Sequence, residues 1–209
     1  MNKLTLTITL IAITASTSFG QETRDKLNFG LKAGLNFSNV YDSQDDKFTA
    51  NGKLGFAGGA FLTIPLGKTI GIQPEILYSE KGFKATGTIL GSSYNLNRTT
   101  TYIDIPLLFS IKPVSIITLL IGPQYSFLVK EKSVFSNSAT SIEQEKVFKT
   151  DNVRKNVFCL TGGIDINISK FIVSARAGYD LQNNNGDGTS TTPRYKNAWY
   201  QATVGFRFF

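Results

Sequence analysis

The sequence contains no histidine and a single cysteine, Cys159. Without histidine the usual general base of membrane-barrel lipases and proteases is missing, and Cys159 has no imidazole to activate it. A disulfide within the chain is excluded, as are zinc sites built on histidine or on cysteine pairs. Charge is sparse: 18% of the 209 residues carry it, too few for a long coiled coil, while 41% are apolar, too many for a disordered chain. A long apolar run is missing as well. Leu4 to Ile13 spans roughly ten residues, against the ~20 that a helix needs to cross a bilayer.

That short run follows the positive start Met1-Asn2-Lys3 and leads through small residues to Ser18-Phe19-Gly20, the order of an export signal cut before Gln21. Residues 1–20 are expected to be a signal peptide and residues 21–209 one mature domain, since no composition shift divides the remainder. No cysteine follows the cut, so a lipidated terminus is not expected. An exported chain without a spanning helix is either soluble beyond the inner membrane or a β-barrel.

Apolar residues of the mature chain recur at every second position. Leu27, Phe29, Leu31, Ala33, Leu35 and Phe37 alternate with Asn28, Gly30, Lys32, Gly34 and Asn36, where a helix would space them three and four apart. The same alternation recurs around residues 70–79, 102–111, 117–130, 158–168, 171–181 and 200–208, and Leu54 to Ile64 is a weaker, glycine-rich version. Eight strands are predicted. Their connections alternate between short ones, at 65–69, 113–115 and 169–170, and long polar ones, at 38–53, 82–100, 131–152 and 182–196. An even strand number with alternating short and long connections is the pattern of outer-membrane barrels, whose periplasmic turns are short and whose external loops are long. The expected fold is all-β: an eight-stranded antiparallel up-and-down transmembrane β-barrel in the bacterial outer membrane.

Period two reveals two faces but not which one points inward. A soluble lipocalin-like barrel would turn the apolar face in, around an apolar ligand. Three features favour the opposite arrangement. Glycines gather on the polar face (Gly30, Gly34, Gly163, Gly178, Gly205), aromatics lie near strand ends on the apolar face, and the polar face carries ions of both signs. Those ions are Lys32, Glu75, Asp104, Asp165, Arg176 and Arg207. Buried charge is tolerable when paired, so the six are expected to form a salt-bridged plug in a lumen just wide enough for side chains. Lys32, Glu75, Asp104 and Arg176 are expected near mid-height, with Asp165 and Arg207 lower. A plug of this kind argues against a small-solute porin.

Several short motifs carry a family resemblance. Phe29-Gly30-Leu31-Lys32-Ala33-Gly34-Leu35-Asn36, Gln73-Pro74-Glu75-Ile76-Leu77-Tyr78-Ser79 with Lys81-Gly82, Tyr102-Ile103-Asp104-Ile105-Pro106-Leu107-Leu108, Gly122-Pro123 and Ala175-Arg176-Ala177-Gly178-Tyr179-Asp180-Leu181 together resemble the PorT-like outer-membrane β-barrel family of Bacteroidota. The resemblance covers essentially the whole mature chain. It implies an eight-stranded outer-membrane barrel, and its namesake's association with type IX protein secretion suggests an accessory role there. The C-terminal strand would be read by the barrel-assembly machinery, although its apolar alternation ends at Phe208, one residue before the terminus.

Pro74, Pro106 and Pro123 fall inside three consecutive strands, where each removes a ladder donor; bulges are the expected accommodation. Cys159 alternates onto the polar face and is expected as a small packed lumen residue. Asp42, Asp45 and Asp46, and Asn183-x-Asn185-x-Asp187-Gly188, have oxygen ligands at suggestive spacing, but Arg194 stands where a calcium loop closes with glutamate. No catalytic residues, cofactor or metal are expected. The cations Lys130, Lys132, Lys146, Lys149, Arg154 and Lys155 suit contact with outer-membrane lipid and anionic lipopolysaccharide; nucleic acid is not an expected partner.

Overall fold

A computed structural model describes residues 26–41, 49–89, 92–137, 141–147, 156–182 and 196–208. The signal segment, the three aspartates at 42–46 and the Asn183–Gly188 motif lie outside the described residues. The described residues form nine strands in chain order: β1 Asn28–Tyr41, β2 Thr49–Pro65, β3 Ile70–Ile89, β4 Ser92–Val114, β5 Ile117–Asn137, β6 Ser141–Val147, β7 Val157–Ile168, β8 Phe171–Asp180 and β9 Lys196–Arg207. Eight of them close an antiparallel ring in which each strand pairs with the next and β9 returns to β1, with β5 joined directly to β7.

The ninth strand is a difference from the eight predicted. The segment Lys130–Ser136 of β5 pairs with β6, while Ile117–Ser126 of the same strand pairs with β7. β6 therefore sits above β7 against the same neighbour, outside the ring. The expected loops 82–100 and 131–152 are also largely strand, because β3, β4 and β5 run to 20, 23 and 21 residues where about 9–11 cross a bilayer. Apolar alternation stops at the edge of the lipid, but main-chain pairing needs no lipid and continues through Thr, Ser, Asn and Lys. β7, β8 and β9, at 12, 10 and 12 residues, are much shorter. Among the described residues the wall rises on the β2–β6 side.

Orientation is set by neighbouring residues. Leu35 is 54% exposed on the outer wall, while Asn36 beside it is wholly buried; Ile76 is 53% exposed and Glu75 only 5%. β8 alternates without exception from exposed Phe171 to buried Asp180. The apolar rows face outward and the ions face the axis, which reverses the soluble lipocalin-like alternative. Aromatic pairs mark both rims of the apolar band. Phe29 stacks on Phe208 at 5.6 Å and Phe171 meets Phe206 at 5.3 Å near the short turns, while Phe56–Tyr78 and Tyr125–Phe127 lie toward the outer end.

The prolines are accommodated differently from the bulges expected. The β2–β3 ladder skips from Phe61↔Glu75 to Ile64↔Ile72, the β3–β4 ladder from Pro74↔Leu107 to Leu77↔Asp104, and the β4–β5 ladder from Pro106↔Gln124 to Phe109↔Ile121. Pro74, Pro106 and Pro123 each fall within one gap. The register is the same on both sides of each gap, so the donor is lost without an inserted residue. The register shifts lie elsewhere, between Gly52 and Ala57, Thr101 and Tyr102, and Ile111 and Val114.

Candidate functional site

The lumen is built in layers from the inward parity of the strands. Nearest the short turns, Lys32 of β1, Glu75 of β3, Asp165 of β7 and Arg176 of β8 come together. Lys32 Nζ donates to Glu75 Oε2, Arg176 Nη1 donates to Asp165 Oδ1 at 2.5 Å, and Arg176 Nη2 lies 3.7 Å from Glu75 Oε1. Gln73 Nε2 donates to Glu75 Oε1 at 2.8 Å, and the Lys32 ammonium lies 5.9 Å from the centre of the Phe61 ring. Two cations thus meet two carboxylates in a layer buried throughout, where an unpaired ion would be costly. The space left among Lys32, Phe61, Asp165, Ser174 and Gly205 is too small to admit water.

Above it lies a neutral layer. Gln201 Nε2 donates to Asn36 Oδ1 at 3.0 Å, and Asn36 Nδ2 donates to Ser79 Oγ at 2.7 Å. Ser38 Oγ donates to the Gly82 carbonyl and accepts the Gly82 amide, at 2.9 and 2.8 Å. Gly82 has φ +151°, and a Cβ there would stand 2.1 Å from the Arg98 carbonyl oxygen, so glycine is required.

A second charged layer follows. Lys81 Nζ lies 3.0 Å from Asp104 Oδ2, between the rings of Tyr102 and Trp199 at 5.0 and 4.9 Å. Across the lumen, Asp180 accepts from the Asn197 backbone amide at 2.9 Å, from Asn197 Nδ2 at 2.6 Å and from Cys159 Sγ at 3.1 Å. The Trp199 indole occupies room that Gly178 leaves: a Cβ at 178 would stand 2.3 Å from the ring.

Of the six ions singled out in the sequence, four share one cluster and two do not. Asp165 joins Lys32, Glu75 and Arg176 instead of lying below them. Asp104 belongs to the layer above, paired with Lys81. Arg207 stays at the short-turn rim, where Nη2 donates to the Ser169 carbonyl at 2.6 Å. Lys81 and Asp180 are lumen ions that sequence reasoning left out, although both continue the inward parity of Ser79 and Gly178. Cys159 is fully buried in the lumen.

At the outer end the ions pair on the raised wall: Arg98 with Glu131 at 2.9 Å, Lys130 with Glu145 at 2.8 Å, and Lys132 with Glu143 at 2.6 Å. Among the described residues no group of three or more Cys, Asp or Glu side chains is placed to hold a metal ion.

Comparison with known proteins follows the architecture. Ail, the attachment invasion locus protein of Yersinia pestis, is 12% identical over 87% of this chain and 98% of its own, with a TM-score of 0.50. The same protein in complex with the heparin analogue sucrose octasulfate is 14% identical over 88% of this chain and 99% of its own, also at 0.50. Neisserial surface protein A is 11% identical over 86% and 97%, at 0.48. Such identities speak to the fold alone. No curated protein matches the sequence. The outer membrane protein beta-barrel domain pattern matches residues 19–185. With that match spanning most of the chain, and apolar rows outside a charged axis, the protein belongs to the outer membrane protein beta-barrel domain family and is an integral β-barrel of the bacterial outer membrane.

Proposed function

We propose that this protein is a non-enzymatic barrel whose lumen is closed to solutes and which acts through its outer face. One observation carries the reading: the Lys32–Glu75–Arg176–Asp165 layer neutralises its own charge across four strands, and the gap beside it among Lys32, Phe61, Asp165 and Gly205 is too small to admit water. Opening a path would separate ions already desolvated, at a cost of several kcal/mol for each. A small-solute pore is therefore disfavoured. The raised wall of β2–β6 is the surface available to partners outside the cell, with the basic residues Lys130 and Lys132 and their carboxylate partners suited to lipopolysaccharide and lipid headgroups.

The finer identity is part of the same proposal. The Gln73–Ser79, Tyr102–Leu108 and Ala175–Leu181 motifs support a PorT-like barrel of Bacteroidota, exported by a signal peptide at residues 1–20 and assembled through its C-terminal strand. An accessory role in protein secretion rests on that resemblance. A deletion strain with normal export of surface proteins would remove it.

Cys159 tests closure in the unaltered protein, because it is the single thiol and lies among the upper lumen ions. A membrane-impermeant maleimide should leave it unlabelled in folded protein and label it fully after denaturation. Labelling of the folded barrel at the denatured rate would refute a sealed lumen.

A further inference from the structure

The lipid-facing wall is filled unevenly. On β2 the outward Gly58 lies under a ring of its own strand: a Cβ there would stand 2.8 Å from Phe56 Cζ. On β7 a Cβ at the outward Gly162 would first meet the Leu120 carbonyl oxygen at 3.1 Å and Ile121 Cγ1 at 3.6 Å, which belong to the neighbouring strand and not to a ring laid over the gap. A groove of about 380 Å³ opens here. The ladders align Ile121, Gly162, Ala177 and Tyr200 in one row and Leu160, Tyr179 and Ala198 in the next. Gly162, Ala177 and Ala198 form the floor, and the four larger side chains stand around it.

Height and shape identify what fills it. β8 climbs from the short turn before Phe171 to Asp180, so Ala177 and Tyr179 lie in the half of the wall away from the periplasm, level with Ala198 and Tyr200 of β9. The groove therefore meets the outer leaflet, whose hydrocarbon in a bacterial outer membrane is lipid A. Within a bilayer, apolarity does not select an occupant, because the tails are as apolar as the wall; packing does. A gap that no atom enters forfeits the dispersion contacts of its lining, and a slender, flexible chain can follow a floor of glycine and alanine. A second barrel does not suit it: a specific interface takes about 20–30 residues a side, and the groove presents a handful.

We infer that the groove across β5, β7, β8 and β9 is a lipid site that holds one acyl chain of lipid A from the outer leaflet. It lies within the apolar band and uses none of the cations of the raised wall, so it stands independently of the headgroup contacts proposed there. Trp199, the single tryptophan, makes the site observable. Its indole packs on the inner side of Gly178, where a Cβ would stand 2.3 Å from the ring, and both residues line the groove. One thickness of backbone separates the ring from the held chain.

The test places the folded full-length barrel in nanodiscs of phosphatidylcholine with brominated chains, which quench tryptophan on contact. Lipid A added in near-stoichiometric amount should displace the brominated chain and restore most of the Trp199 emission, while the same amount of bromine-free phosphatidylcholine restores almost none. Ala177→Leu/Ala198→Leu, which fills the groove, should raise the lipid A required at least tenfold. Ala60→Leu, which adds the same bulk to the outward face of β2, should leave it unchanged. Heat-modifiable gel mobility checks that each variant is folded, and the displacement in unaltered protein decides without them. Recovery only in proportion to the dilution of brominated chains, or an equal effect of Ala60→Leu, overturns the site.

Discussion

Glu75 is the residue on which the lumen turns, because its carboxylate serves both Lys32 and Arg176. Glu75→Leu leaves two buried cations to share Asp165, and breaking a buried ion pair from one side costs about 3–5 kcal/mol. Urea unfolding in micelles, followed by the fluorescence of the single tryptophan, Trp199, should show a loss of that size. Adding Lys32→Met should recover part of it; equal losses in the single and double variants would mean that the pair is uncoupled. At this scale the sequence was informative about which faces hold ions and less so about who pairs with whom. Parity alone places Lys32, Glu75, Asp104, Asp165, Arg176 and Arg207 on the polar face. Their heights depend on strand stagger around the ring, a long-range property, and that moves Asp104 up to Lys81 and brings Asp165 to Arg176. Lys81 itself was legible, since it extends the inward series Gln73, Glu75, Leu77, Ser79 by one step.

Among the elements, β3, β4 and β5 differ from the others in two ways: they are the tallest, and their ladders are interrupted at Pro74, Pro106 and Pro123. A proline removes one donor, and an in-register gap leaves the facing carbonyl without that partner. The three gaps lie in neighbouring ladders, so they form a seam across one sector of the wall. Hydrogen exchange should be faster at Glu75, Ile76, Ile105, Leu107 and Gly122 than at matching depth in β7, β8 and β9. Uniform protection around the ring would remove the seam as a weak sector. The prolines were visible in the sequence, but their accommodation was not, because a bulge and a gap consume the same residue and differ only in the partner strand. The extra strand β6 was hidden for another reason. Ser141–Val147 is polar and charged, so no apolar face announces it, and its pairing with β5 rests on main-chain bonds and the cross-strand Lys–Glu pairs.

At the scale of the whole molecule, the strand alternation and the rhythm of short and long connections were enough to read the ring, its outward apolar band and its periplasmic turns. Loop height was not readable, since polar strands above the lipid leave no periodic apolar signal. Among the described residues the barrel is uneven: high and ion-paired on one outer side, and filled below by two charged layers separated by Asn36, Ser79 and Gln201. A filled axis is the claim from which the functional reading grows. Single-channel recording of the purified protein in planar bilayers addresses it most directly. The packed layers predict no stable unitary conductance under either polarity; large, long-lived steps from the wild-type barrel would contradict a sealed lumen.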